Sequence, residues 1–169
     1  MRGIKFEIPN EWGSFLSLIL ESIPVERYYW RLLDMDVYTE NMSGVYDEAR
    51  GIYVRGDSPD FIERDFYSGT ELAKIINHDY YYIVFLGLIA FPFGPGHLFD
   101  NYQDFLKSNA TFCIIINDSS DVFVYVKDEV TLSQLQKNAE KHHFTSVELI
   151  DEFNDYCKAW VMTRDITAD

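Results

Sequence analysis

The chain has 169 residues, 47% of them apolar and 17% aromatic, enough to bury the core of one domain and too many for a disordered segment. Its 28 acidic against 14 basic side chains leave a formal net charge of −14, a field that repels nucleic-acid backbones and anionic membrane surfaces and favours cationic partners. Met1-Arg2-Gly3-Ile4-Lys5 leads into an alternating pattern rather than an apolar leader, and the longest apolar run, about Tyr80 to Phe93, falls short of the ~20 residues that span a bilayer. The expectation is a cytosolic protein without membrane contact.

Gly3 to Ile8 alternates apolar and charged residues with period two, the mark of a half-buried strand. Pro9 stops it and Asn10 is placed to cap a helix. Trp12, Phe15, Leu16, Ile19, Leu20 and Ile23 then fall on one stripe, predicting an amphipathic helix that Pro24 closes. From Arg27 to Val54 the aromatic and branched residues predict a meander of strands with turns at Gly44 and Gly51. Residues 56–67 read as a loop. Ser68-Gly69-Thr70-Glu71 is a capping box that opens a helix with Leu72, Ile75 and Ile76 inward.

Ile83 to Phe91 is apolar at both parities, which predicts a strand buried on both faces. The Gly94-Pro95-Gly96 loop follows, then a helix near Asp100 to Ser108 that buries Tyr102, Phe105 and Leu106. Thr111 to Ile116 and Val122 to Val126 are two strands joined by the turn-rich Asn117-Asp118-Ser119-Ser120-Asp121. Thr131-Leu132-Ser133-Gln134 reads as a second capping box, with Leu132, Leu135 and Ala139 inward. Ser146 to Ile150 and Ala159 to Met162 complete the predicted strands. This order specifies a single α+β domain over residues 1–169, a mainly antiparallel mixed sheet packed against three to four helices.

Few motifs point to chemistry. Gly94-Pro95-Gly96-His97-Leu98-Phe99 sits between strand and helix, where a dinucleotide-binding loop would. Phe99 stands in place of the third glycine, Pro95 removes an amide donor, and no Gly-Lys-Ser/Thr follows, so the loop reads as a turn. His78, His97, His142 and His143 offer no chelating spacing, since adjacent helical residues point about 100° apart. His142 and His143 suit the end of a helix. Cys113 and Cys157 sit among apolar residues and read as buried thiols. No nucleophile elbow is present. The expectation is therefore no metal, no cofactor and no catalytic residue.

Acidic residues gather in three places: Asp57, Asp60, Glu63 and Asp65; Asp118, Asp121, Asp128 and Glu129 around one hairpin; and Glu148, Asp151, Glu152 and Asp155. A solvated face is the plain reading of each, and a surface for a basic protein is the functional one. The hairpin group is the expected partner-binding site, because a tight turn holds its charges at fixed spacing. An alternative site is an aromatic-lined pocket for a small, nucleotide-like molecule. It would use Tyr28, Tyr29, Trp30, Tyr53 and Tyr80 to Tyr82, including Tyr81, with Arg31, Arg55 or His97 fixing a charged group.

Gly3-Ile4-Lys5-Phe6-Glu7-Ile8-Pro9-Asn10-Glu11-Trp12-Gly13, Tyr67-Ser68-Gly69, Ala90-Phe91-Pro92, Tyr102 to Ser108 and Val124 to Asp128 together resemble a family of small uncharacterised proteins from Bacillus and related Firmicutes. Trp12 departs from the tyrosine frequent there. The resemblance implies a bacterial or phage origin and a cytosolic single domain, and it carries no activity. The function expected from the residues is that of a non-enzymatic acidic binding protein, of the immunity or anti-defence inhibitor kind, that covers a basic partner without contacting nucleic acid. Small-molecule binding and an enzyme of unrecognised type are the alternatives.

Overall fold

The computed structural model describes residues 1–39, 45–47, 52–54, 65–77 and 80–157. They form an α+β fold in which every strand pairing is antiparallel. The strands are β1 (Gly3–Glu7), β2 (Tyr29–Thr39), β3 (Val45–Asp47), β4 (Ile52–Val54), β5 (Phe66–Ser68), β6 (Tyr81–Phe91), β7 (Phe112–Asn117), β8 (Asp121–Val126) and β9 (Thr145–Ile150). The helices are α1 (Phe15–Ile19), α2 (Gly69–Ile76), α3 (Tyr102–Lys107) and α4 (Glu129–Lys141), with a 3-10 turn at Val25–Arg27. Seven strands make one sheet in the order β5-β2-β6-β7-β8-β1-β9, and β3 pairs with β4 separately. β1 thus inserts between β8 and β9, which follow it by more than a hundred residues.

The two-sided apolar pattern of the central strands has its counterpart in two clusters. Phe112, Ile114 and Ile116 of β7, with Leu86, Leu88 and Ala90 of β6, face a large core with α1, α2 and α4. The alternate residues Cys113 and Ile115, with Ile89 and Phe91, face a smaller one that includes Phe99, Phe105, Ala110, Tyr125, Ile150 and Cys157. The cover on this second side is α3, the 92–101 loop and the 151–157 segment. Both cysteines are buried thiols not joined in a disulfide, and burial pushes the Cys113 thiol up.

A partly buried polar group ties the second cover to the sheet. Arg2 Nη1 lies 2.9 Å from Asp155 Oδ2, and the fully buried Tyr125 hydroxyl donates to Asp155 Oδ1 at 2.6 Å. The Arg2 guanidinium also stacks over the Tyr102 ring of α3, 4.8 Å from its centroid. Burial foremost, then Cys157 and Asp155, hold the Tyr125 hydroxyl protonated far above its ordinary range, so it remains a donor.

Four expectations need correction. The helix foreseen from Trp12 to Ile23 is only Phe15–Ile19, because Gly13 forms an antiparallel bridge with Tyr81 and holds the chain out of helix there. Trp12 consequently leaves the apolar stripe and is 45% exposed. The second capping box does not form: α4 starts earlier, and Asp128 Oδ1 accepts from Thr131 N at 2.8 Å. Leu106 faces outward, while Phe105 beside it is buried. Residues 66 and 67, placed in a loop by the sequence, pair with β2. The capping box at Ser68 and Glu71 is complete. The turns at Gly44 and Gly51, residues 56–64 and the strand expected at Ala159 to Met162 lie outside the described residues.

The position of the α4 cap is open to a direct check. Asp128→Ala should cost about 1 kcal/mol in urea unfolding, the usual loss for a capping side chain. Thr131→Ala should cost less, since alanine is the better helix former and the hydroxyl is not the cap. The opposite ranking would restore the cap at Thr131.

Candidate functional site

The four hairpin acids do not form one patch. Asp118 and Asp121 sit at the turn between β7 and β8, whereas Asp128 and Glu129 lie past the far end of β8, about 20 Å away at strand rise. Asp128 is occupied as the α4 cap and Glu129 opens that helix. Asp118 and Ser119 take positive φ values of 49° and 67°, which fix the turn tightly.

The alternative pocket also does not assemble. Trp30 is fully buried, its indole donating to Val25 O at 3.0 Å and its ring packed edge-on against Phe112. Tyr81 is buried too. Its hydroxyl accepts from Leu16 N at 2.9 Å and donates to Ile76 O at 3.2 Å, and burial pushes it well above the ordinary tyrosine range. Tyr28 is half-buried against Trp30 and Phe112. Arg31 pairs in register with Ile89, eight residues along β6 from Tyr81, so the two stand about 26 Å apart. Arg55 and the side chain of Tyr53 lie outside the described residues.

The glycine loop is a bend. Arg31 Nη1 donates to Gly96 O at 2.7 Å, and Gly96 packs so closely on the Phe91 ring that an added Cβ would lie 1.9 Å from Cε1. Gly94, at φ 61°, makes the reversal. His97 is exposed on the wall of a shallow cavity of about 270 Å³ shared with Phe99, Asp104 and Lys107. Among the described residues no group of three or more His, Cys, Asp or Glu is placed to hold a metal ion.

Sequence reasoning assigned Tyr80 and Tyr82 to the pocket and passed over the surface where Tyr82 meets Trp12 and Tyr38. At the Asp118 end of the sheet, Tyr38 and Tyr82 are directly opposed on β2 and β6, and the Trp12 ring packs on Tyr82 with centroids 5.9 Å apart. Tyr80 stands just before β6. Trp12, Tyr38 and Tyr80 are 45%, 43% and 50% exposed. The Tyr82 hydroxyl donates to Asn10 Oδ1 at 2.6 Å and lies 3.1 Å from Ser119 Oγ. Ser119 N in turn donates to Val84 O at 3.0 Å, and Ile8 N to Ser120 O at 3.0 Å. These bonds lock the 8–13 loop, the β7–β8 turn and the start of β6 into one rigid end.

Exposed carboxylates surround that end: Glu11 next to Trp12, Asp118 next to Ser119, and Asp121 opposite Glu7. Beyond Asp121 the sheet opens into a cleft of about 220 Å³ lined by Lys5, Glu7, Asp121, Phe123, Ser146 and Glu148. Lys5 Nζ lies 3.0 Å from Glu148 Oε2. Hydrogen bonds from Lys5 foremost, and from Asn154, hold the Glu148 carboxyl below its ordinary value. The acids of the third sequence cluster are thus largely structural: Glu148 serves Lys5, Asp151 caps a turn through Phe153 N and Asn154 N, and Asp155 serves Arg2.

A protein-family model described as a protein of unknown function (DUF2691) matches residues 1–161. The chain belongs to this family. It is 29% identical over 155 residues to the uncharacterized protein YncE of Bacillus subtilis (strain 168), which covers 91% of this chain and 94% of that protein. No solved structure matches it. The likeness to small uncharacterised Firmicute proteins read from the sequence agrees with both findings.

Two measurements test the geometry of this end and of the glycine bend. Tyr82→Phe and Asn10→Ala should each lower stability by about 1 kcal/mol, and the double variant by clearly less than the sum, because both remove the same bond. Additive losses in urea unfolding would separate the two residues. Millimolar ATP or NAD should leave the melting temperature unchanged, since a ligand of the native state must raise it.

Proposed function

We propose that the protein acts by contact, as a cytosolic, non-enzymatic binding protein that covers a basic site on another protein. The supporting observation is the rigid end where exposed Trp12, Tyr38 and Tyr80 stand among Glu11, Asp118 and Asp121. Tryptophan and tyrosine are the residues most often dominant at protein interfaces, since they bury large area at little entropic loss. Acidic residues at the rim steer a cationic partner and speed encounter. The chain's net charge of −14 adds a long-range field of the same sign. No helix among the described residues is long and apolar enough to cross a membrane, which is compatible with this role.

Within this reading, Asp118 and Asp121 belong to the binding surface, and Asp128 and Glu129, at the opposite end, do not. The test is capture of partners from lysate by the immobilised protein at low and high salt, with association rates measured on what is captured. Asp118→Lys with Asp121→Lys should slow association and flatten its salt dependence. Folding should hardly change, because exposed charges contribute at most about 1 kcal/mol. Glu129→Lys, whose residue lies at the far end, should leave the rate close to that of the unmodified protein. Slowing by Glu129→Lys in proportion to its charge change, half that of the double reversal, would mean that total charge, not this surface, governs binding.

A further inference from the structure

We infer that the Trp12–Tyr82–Tyr38 platform receives the guanidinium of an arginine side chain presented by a basic protein. The inference rests on the surface proposed above and adds the chemistry of its occupant. The platform is built of ring faces, not of an enclosed cavity: Trp12 packs on Tyr82, and Tyr82 is opposed by Tyr38 across the β2–β6 pair. Exposed carboxylates adjoin these residues along the chain: Glu11 precedes Trp12, and Asp118 precedes the Ser119 whose hydroxyl lies 3.1 Å from that of Tyr82.

Rings below and a carboxylate beside suit a planar cation. A guanidinium stacks flat on an aromatic face and still directs its N–H groups sideways to a carboxylate. An ammonium is compact and strongly hydrated, and gains less on an open platform. The fold itself contains the same arrangement: the Arg2 guanidinium lies 4.8 Å from the Tyr102 ring centroid while Nη1 meets Asp155 at 2.9 Å. Exposed aromatic faces also stack nucleobases. Here the surrounding carboxylates repel the phosphates that every nucleotide carries, so the partner is a protein.

The experiment uses the full chain with acetylated tetra-arginine and tetra-lysine amides. The two peptides carry equal charge, so a difference between them reports stacking. Binding is followed by the indole N–H signal of Trp12 in NMR, identified by its loss in Trp12→Phe, with the buried Trp30 as internal control. Tetra-arginine should shift the Trp12 signal saturably, leave Trp30 in place and bind about two- to fivefold more tightly than tetra-lysine. Trp12→Ala should remove that preference and Trp12→Phe should retain part of it, the phenyl ring keeping a face; a thermal melt of each variant verifies folding. Equal affinity for the two peptides, a preference that survives Trp12→Ala, or no shift at Trp12 would overturn the inference. The surface reading fails separately: it falls if the Asp118 and Asp121 reversal leaves partner association unchanged, whatever the peptides do.

Discussion

Strands β6 and β7 carry apolar residues at both parities, so the sheet must be covered on two sides. One side has a conventional cover in α1, α2 and α4. The other is covered by a six-residue helix, a glycine bend and the 151–157 segment. That cover is held by specific bonds as much as by area. A partly buried ion pair gains little net stability by itself, because partial desolvation of the ions offsets much of their attraction. The Tyr125 hydroxyl and the Tyr102 ring supply the additional contacts that make Arg2–Asp155 tenable, and in return the group fixes where the 151–157 segment lies. Removing either charged partner would leave the other poorly solvated, so the arrangement specifies one placement of the segment.

The same sheet places the candidate surface. β6 runs from the fully buried centre to an end where Tyr82 is only half covered. There the 8–13 loop passes from β1 to the start of β6, beneath the β7–β8 turn. Tyr82 stands between the loop and the turn and bonds to both. Trp12 is held on the outside by a backbone bridge one residue away. An exposed tryptophan on so fixed a support loses little entropy when a partner covers it, which is what distinguishes an anchor from a stray surface aromatic.

Most of the architecture was legible in the sequence. Period-two alternation marked β1, a two-sided apolar run marked β6, and the Ser68 and Glu71 pair marked the start of α2. The errors have different causes, and in the first a local pattern was overruled by a partner far along the chain. Trp12 fits a helical stripe until Gly13 pairs with Tyr81, 68 positions later. A glycine inside that stripe was the available hint. Trp30 and Tyr81 look like pocket walls because tyrosine and tryptophan tolerate either burial or exposure. Their buried bonds, from Trp30 to Val25 O and from Tyr81 to α1 and α2, go with burial. The acids around β8 look like one cluster because nearness in sequence ignores the length of an extended strand. Thr131 lost its capping role because Asp128, three residues earlier, offers the stronger cap.

The insertion of β1 between β8 and β9 bears on how the chain is made. Over a hundred residues separate Glu7 from its partner Asp121, and β9 comes later still. At about 5–20 residues per second, a ribosome leaves β1 without its neighbours for on the order of ten seconds. Throughout that interval Ile4, Phe6 and Ile8 have no core to enter, and both backbone edges of the strand lack their native partners. Closing such a distant pair also costs loop entropy before any contact repays it, which slows folding. The charges that alternate with those apolar residues, Lys5 and Glu7, interrupt what would otherwise be an aggregation-prone strand. Residues that read as mere solubility on the finished sheet thus protect the nascent chain during its most exposed stage.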